Sequence, residues 1–135
     1  MGYRSQVAYT VRFGAEDDTV CRQSFYVFLA QIKEDETAKL VIDELDIDEQ
    51  NLTINFKADE VKWYESYPEV QAHERIVEIA NEWCNDDDNY SGIWYEHARV
   101  GEEIDDNHYW ANQNKCCVNS GYAINLSRHV VVDWE

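Results

Sequence analysis

At 135 residues, 44% of them hydrophobic and 13% aromatic, the chain has enough apolar material for one domain with a core, which excludes wholesale disorder. Its formal net charge of −17 disfavours direct binding to DNA, RNA or an anionic membrane, because such binding rests on Lys and Arg neutralising phosphate. No apolar run of about 18 residues occurs, and Met1-Gly2-Tyr3-Arg4-Ser5 lacks the layout of a secretory signal, so a soluble cytoplasmic protein without a membrane anchor is expected.

In chain order, Arg4 to Phe13 alternates Val7, Tyr9 and Val11 against Gln6, Ala8, Thr10 and Arg12, which predicts a strand. Gly14 and Glu16-Asp17-Asp18 break it. Asp18 or Thr19 can then cap a helix whose apolar stripe is Cys21, Phe25, Phe28, Leu29 and Ile32, with Lys33 near its negative end. Leu40, Ile42, Leu45 and Ile47 suggest a second strand over 39–47, and Asp48-Glu49-Gln50-Asn51 a turn into a third strand carrying Leu52, Ile54 and Phe56. Asp59-Glu60 interrupts that hairpin, and Val61-Lys62-Trp63-Tyr64 either continues beyond a bulge or begins a loop.

Ser66-Tyr67-Pro68-Glu69 has the spacing of a capping box, with Ser66 as cap, so a second helix should start there. Its core stripe would be Val70, Ile76, Val77, Ala80, Trp83 and Cys84, with His73 half-buried beside it and Asn85 ending it. Gly92 to Val100 again alternates, Ile93, Tyr95 and His97 against Trp94, Glu96 and Ala98, as a strand does. Residues 101–119 are polar without a sustained period and read as a long loop, after which Tyr122–Leu126 and Val130–Val132 suggest one or two closing strands. The order predicts a single α+β domain spanning 1–135, two helices on one face of a mostly antiparallel sheet, in a ferredoxin-like arrangement.

The charge is uneven. Residues 41–106 hold 20 acidic and 4 basic residues, whereas the first 40 and the last 29 are nearly neutral. On the second helix Glu74, Glu78 and Glu82 follow at i, i+4 spacing, where like charges cost a few tenths of a kcal/mol per pair, and Asp86, Asp87 and Asp88 crowd its negative end. Carboxylates one turn apart are separated by about 6 Å along the axis, comparable to successive backbone phosphates. This stripe, extended by Asp105 and Asp106, suits contact with a basic protein surface, although charge runs often serve solubility alone.

Signals for catalysis are weak. There is no Gly-x-Ser-x-Gly elbow, phosphate-cradling glycine loop, His-Glu-x-x-His or calcium loop, so no catalytic residue and no cofactor is assigned. A metal-dependent hydrolase built on Asp105, Asp106 and His108 is the weakest alternative. Cys21, Cys84, Cys116 and Cys117 lack Cys-x-x-Cys spacing, and the adjacency of the last two disfavours ordinary disulfides, so reduced thiols and no structural metal are expected.

Three segments carry a resemblance: Gly2-Tyr3-Arg4-Ser5 with Val7-Ala8-Tyr9, Val61-Lys62-Trp63-Tyr64 leading to Tyr67-Pro68-Glu69-Val70-Gln71, and Arg99-Val100-Gly101-Glu102 followed by Asp105-Asp106. In order and spacing they resemble a group of small proteins of tailed bacteriophages and prophages, over roughly the first 110 residues and not from Trp110 onward. The resemblance implies no catalytic residues. It implies the context of a phage accessory protein, among which inhibitors of host defence, including mimics of DNA that block restriction, repair or CRISPR complexes, are common.

Two functions of different class follow. The first is an acidic inhibitor that sets Glu74, Glu78, Glu82, Asp86, Asp87, Asp88, Asp105 and Asp106 against the basic groove of a host nucleic-acid-processing protein. The second is an assembly or adaptor protein acting through exposed aromatics Trp94, Tyr95, Tyr109 and Trp110. Oligomeric state is open at this point.

Overall fold

Alternation along the first strand turns Val7, Tyr9, Val11 and Phe13 to one face, and the helices are placed to cover it. The computed structural model describes residues 5–15, 18–86, 91–101 and 107–113. In chain order these form β1 (Ser5–Phe13), α1 (Asp18–Glu34), a 3-10 segment (Ala38–Glu44), β2 (Asp46–Asp48), β3 (Thr53–Val61), α2 (Pro68–Cys84), β4 (Ile93–Gly101) and β5 (Asn107–Gln113). The strands make one antiparallel sheet in the order β2-β3-β1-β4-β5. β1 through β4 with their two helices follow the split β-α-β-β-α-β connectivity of ferredoxin-like folds, and β5 extends the sheet beside β4. The α+β class read from the sequence is the class observed.

α1 buries Cys21, Phe25, Phe28, Leu29 and Ile32, the stripe its spacing predicts. α2 buries Val70, Ala72, His73, Ile76, Ile79, Ala80 and Cys84, with Val77 and Trp83 partly buried against the same core. The ring of Phe13 ties β1 to both helices, lying 5.8 Å from Phe25, 5.6 Å from Phe28 and 6.1 Å from Trp83. Trp83 also donates its indole N–H to Gln31 Oε1 at 2.8 Å, locking the helices together. Phe25 and Phe28, fully buried, contribute about 1.5–3 kcal/mol each. On the reverse face of the sheet Thr10, Trp94, Glu96 and Ala98 are buried as well.

Gly92 enters β4 at φ +67, and its carbonyl accepts the Gly14 N–H at 3.0 Å. A Cβ at this position would stand 2.3 Å from the Gly14 carbonyl oxygen, so only glycine permits β1 and β4 to approach here.

Several sequence expectations need correction. The strand predicted over 39–47 is a 3-10 segment followed by the three-residue β2, because Asp35 Oδ1 accepts the N–H groups of Thr37 and Ala38, both at 3.0 Å, and folds the chain into a turn. The predicted capping box is absent: α2 has Tyr67 as its N-cap, with no side-chain cap bond, and Pro68 in its first turn. Proline forces the residue before it into extended geometry, and Tyr67 lies at φ −80, ψ 132, which puts the boundary one residue later than Ser66. The long loop expected over 101–119 contains β5, paired with β4 from Asn107 opposite Val100 to Gln113 opposite Trp94. β3 does run past Asp59-Glu60 to Val61, where a bulge sets Ser5 opposite Val61 and Val7 opposite Ala58. The closing strands expected at Tyr122–Leu126 and Val130–Val132 lie outside the described residues.

Candidate functional site

Antiparallel register places Phe56, Tyr9, His97 and Trp110 directly opposite one another across β3, β1, β4 and β5. Opposed residues share a face, so the four rings form a row beneath α2, at centroid separations of 5.4, 6.0 and 5.0 Å. His73 of α2 roofs one end. Its ring stacks on Phe56 at 3.9 Å, Nδ1 lies 2.7 Å from the Tyr9 hydroxyl and Nε2 lies 3.2 Å from Glu44 Oε1. With Glu44 as acceptor, Nε2 carries the proton and the Tyr9 hydroxyl donates to Nδ1. His73 is therefore fully buried and bonded at both nitrogens, not half-buried as its helical position suggested. Burial holds its pKa below the usual value against the opposing pull of Glu44, and burial likewise raises that of Tyr9.

At the other end of the row α2 stands away from β4 and β5 and leaves a cleft of about 620 Å³, within the size range of ligand sites. β4 supplies Tyr95, His97 and Arg99 as its floor, and β5 supplies His108 and Trp110. The β3–α2 loop contributes Trp63, Tyr64 and Glu65 as one wall, and α2 contributes Glu74, Val77, Glu78 and Asn81 as the other. The far end is pinned by amide contacts. Asn81 Oδ1 accepts from the Tyr95 hydroxyl at 3.1 Å and from Asn112 Nδ2 at 2.8 Å, joining α2 to both floor strands.

His97 distinguishes this cleft. Its ring lies between Tyr9 and Trp110, the residue is 5% exposed, and among the described residues neither ring nitrogen has a hydrogen-bond partner. An unpaired buried donor or acceptor costs about 1–3 kcal/mol. Burial first, and then the charge of Arg99 and the two neighbouring histidines His73 and His108, lower its pKa to about 4, so it is neutral near pH 7. The cleft is also lined by three carboxylates, Glu65, Glu74 and Glu78, and by the guanidinium of Arg99, and Glu78 is paired with Arg75 outside the lining. Partial burial and the nearby Glu65 raise the pKa of Glu74, with Arg99 acting in the opposite sense.

The predicted acidic stripe is exposed on α2, but not uniformly charged. Arg75, one residue along from Glu74, bonds Glu78 and lies 3.7 Å from Glu82, while its Nε donates to Asp35 Oδ2 at 2.9 Å. Glu74 makes none of the ion pairs among the described residues and turns to the cleft. Asp86 is exposed just past the helix end. Asp87, Asp88, Asp105 and Asp106 lie outside the described residues, so the structure unites Glu74 and Glu78 at one site and leaves Glu82 and Asp86 further along the helix.

Of the aromatics expected to be exposed, Trp94 and Tyr95 are buried at 4% and 6%, the strand alternation sending one to each face of the sheet; Tyr109 and Trp110 are exposed at 46% and 48%. Reading from sequence passed over His97, Arg99, Trp63 and Tyr64 as a group. The signal that locates them is cross-strand register, which needs β5 and the β1–β4 pairing to be known.

A second hollow of about 560 Å³ lies across Trp63, where Lys57 and Lys62 balance Glu44 and Glu69 and where His73 is already satisfied. No group of three or more His, Cys, Asp or Glu side chains arranged to hold a metal occurs among the described residues. Cys21 and Cys84 are buried thiols, whose Sγ atoms donate to the Ser91 carbonyl at 3.2 Å and the Ile93 carbonyl at 3.7 Å. No described helix is long and apolar enough to cross a membrane. No family model matches the chain, and neither the curated proteins nor the solved structures include a match to it.

Proposed function

We propose that this chain is a non-catalytic binding protein whose acidic α2 face docks on a basic protein surface, and that the groove of a host nucleic-acid-processing or defence protein is such a surface. Occupying a phosphate-binding groove with carboxylates would exclude the nucleic acid, which is inhibition by DNA mimicry. The observation that carries the reading is the exposed row Glu74, Glu78 and Glu82 running beside a cleft whose own carboxylates outnumber its cations. A formal charge of −17 steers such an encounter with a basic partner and repels nucleic acid itself. The resemblance to phage accessory proteins is consistent with this role.

The test is capture of the basic partner from nuclease-treated host lysate at stepped salt, comparing the natural chain with a Glu78→Lys/Glu82→Lys double variant. Both side chains are surface ion-pair members, so their reversal should cost about 1 kcal/mol of stability or less, and folding can be checked by circular dichroism. Capture that releases at moderate salt and falls at least about ten-fold in the double variant is the expected result. Unchanged capture by the double variant would sink the proposal.

The alternative, assembly through an aromatic interface, draws on one specific observation: among the described residues β5 ends the sheet order, and Tyr109 and Trp110 are exposed on it. It requires a concentration-dependent oligomer that persists in high salt, and a monomeric sedimentation profile at high concentration would eliminate self-assembly.

A further inference from the structure

We propose that the cleft between α2 and the β4–β5 half of the sheet is a guanidinium pocket that receives an arginine side chain of the docked basic partner. This rests on the reading of α2 as a docking face and adds what the face grips. Two independent features of one site call for the same kind of ligand. With Glu78 already paired to Arg75, Glu65 and Glu74 at the cleft still outnumber Arg99, so a cation is favoured there. Beneath them His97 is 95% buried with both ring nitrogens unpaired among the described residues, so a hydrogen-bonding ligand is favoured too.

The walls narrow the class of cation. Trp63, Tyr64, Tyr95 and Trp110 offer aromatic faces and edges, on which a planar, weakly hydrated guanidinium stacks better than a compact ammonium. Its five N–H donors can serve a wall carboxylate and one imidazole nitrogen together, whereas a quaternary ammonium has no donor for either. The depressed pKa of His97 keeps the ring neutral near pH 7, so one nitrogen retains the lone pair that accepts such a donor. At about 620 Å³ the cleft is roomier than a single side chain requires and also admits the residues flanking the arginine.

The experiment titrates the intact chain with N-acetyl-arginine amide and, separately, N-acetyl-lysine amide, reading tryptophan fluorescence and the ring nitrogen signals of His97. The expected result is saturable binding of the arginine probe, with the lysine probe and the Glu74→Gln variant each about ten-fold weaker, the loss of one hydrogen bond to a charged group. Glu82→Lys lies outside the lining and should leave probe affinity unchanged while weakening capture of a basic protein. Absence of saturation, equal affinity for the two probes, or indifference to Glu74→Gln would each overturn the pocket. The two readings separate cleanly: probe binding without protein capture removes the docking face and keeps the pocket, and capture without probe binding does the reverse.

Discussion

Replacing His97 with phenylalanine tests whether the cleft floor holds a group that the fold would be more stable without. The ring sits in a row with Phe56, Tyr9 and Trp110, so a phenyl group can occupy the same slot between its two neighbours. The substitution deletes two buried nitrogens that lack partners, and removing an unmet polar group in this setting should stabilise the protein by about 1–3 kcal/mol near pH 7. The dependence on pH is sharper. His97 falls from the usual 6.5 to about 4 on folding, so below 6.5 the unfolded chain takes up a proton that the folded chain refuses. The titration cost is therefore absent above pH 6.5 and grows as pH falls, reaching its full size below 4. That difference corresponds to about 3 kcal/mol in all, of which about 2 kcal/mol is lost by about pH 5. Urea unfolding followed by tryptophan fluorescence, from about pH 7 down to about pH 4.5, should show the natural chain losing that amount relative to His97→Phe. Carboxylates and His73, itself held low by burial, are common to both proteins and largely cancel in the difference. Parallel stability curves, or a phenylalanine variant less stable near pH 7, would refute the account of His97 as an unpaired neutral imidazole.

Asp35→Ala should lower stability by about 1–2 kcal/mol in urea unfolding, because it removes the acceptor for the Thr37 and Ala38 N–H groups and for Arg75 Nε at the start of the 3-10 segment. The same hydrogen bonds, led by that from Ala38, hold the Asp35 carboxyl below its usual pKa, so its contribution is present above the unfolded value and fades as the solution is acidified through the folded one. Gly92→Ala should cost more than about 1 kcal/mol and lower the thermal midpoint, since it combines a positive φ with a Cβ directed onto the Gly14 carbonyl.

The elements legible in the sequence are those in which a single period dominates. In α1 the apolar positions fall on one face and nothing competes with them, so all five predicted residues are buried. β1 and β4 read correctly because each alternates over nine residues. The failures have local causes. Leu40, Val41 and Ile42 look like a strand, yet Leu40 is 60% exposed and Val41 buried, because the carboxylate of Asp35 directs the preceding backbone into a turn. β5 consists of Asn, His, Tyr, Trp, Ala and Gln, a composition without the β-branched residues that advertise strands; it is held by pairing with β4 and by Asn112 bonding Asn81 and Asn85. Missing β5 removed Trp110 from its place opposite His97, and with it the cleft. The acidic residues were visible one by one. What the sequence did not reveal was which of them Arg75 compensates.

That last distinction bears on what the charge is for. If the acidity of α2 served only solvation, its carboxylates would be interchangeable, and repulsion along the helix would be relieved wherever a cation could reach. Arg75 relieves it at Glu78 and Glu82, the latter outside the cleft, and anchors to Asp35 at the same time. Partial burial first, and then the charge of neighbouring Glu65, raise the pKa of Glu74, with Arg99 the opposing influence from the cleft floor. The poorly compensated charge thus coincides with the unpaired imidazole of His97 and with the tryptophans of the walls. Solubility gives no reason for these features to share a location, because a solvated carboxylate needs neither an aromatic neighbour nor a buried acceptor. A cationic ligand rich in N–H donors does give one, since the same group would neutralise the carboxylates, donate to the acceptor nitrogen of the imidazole and stack on the rings.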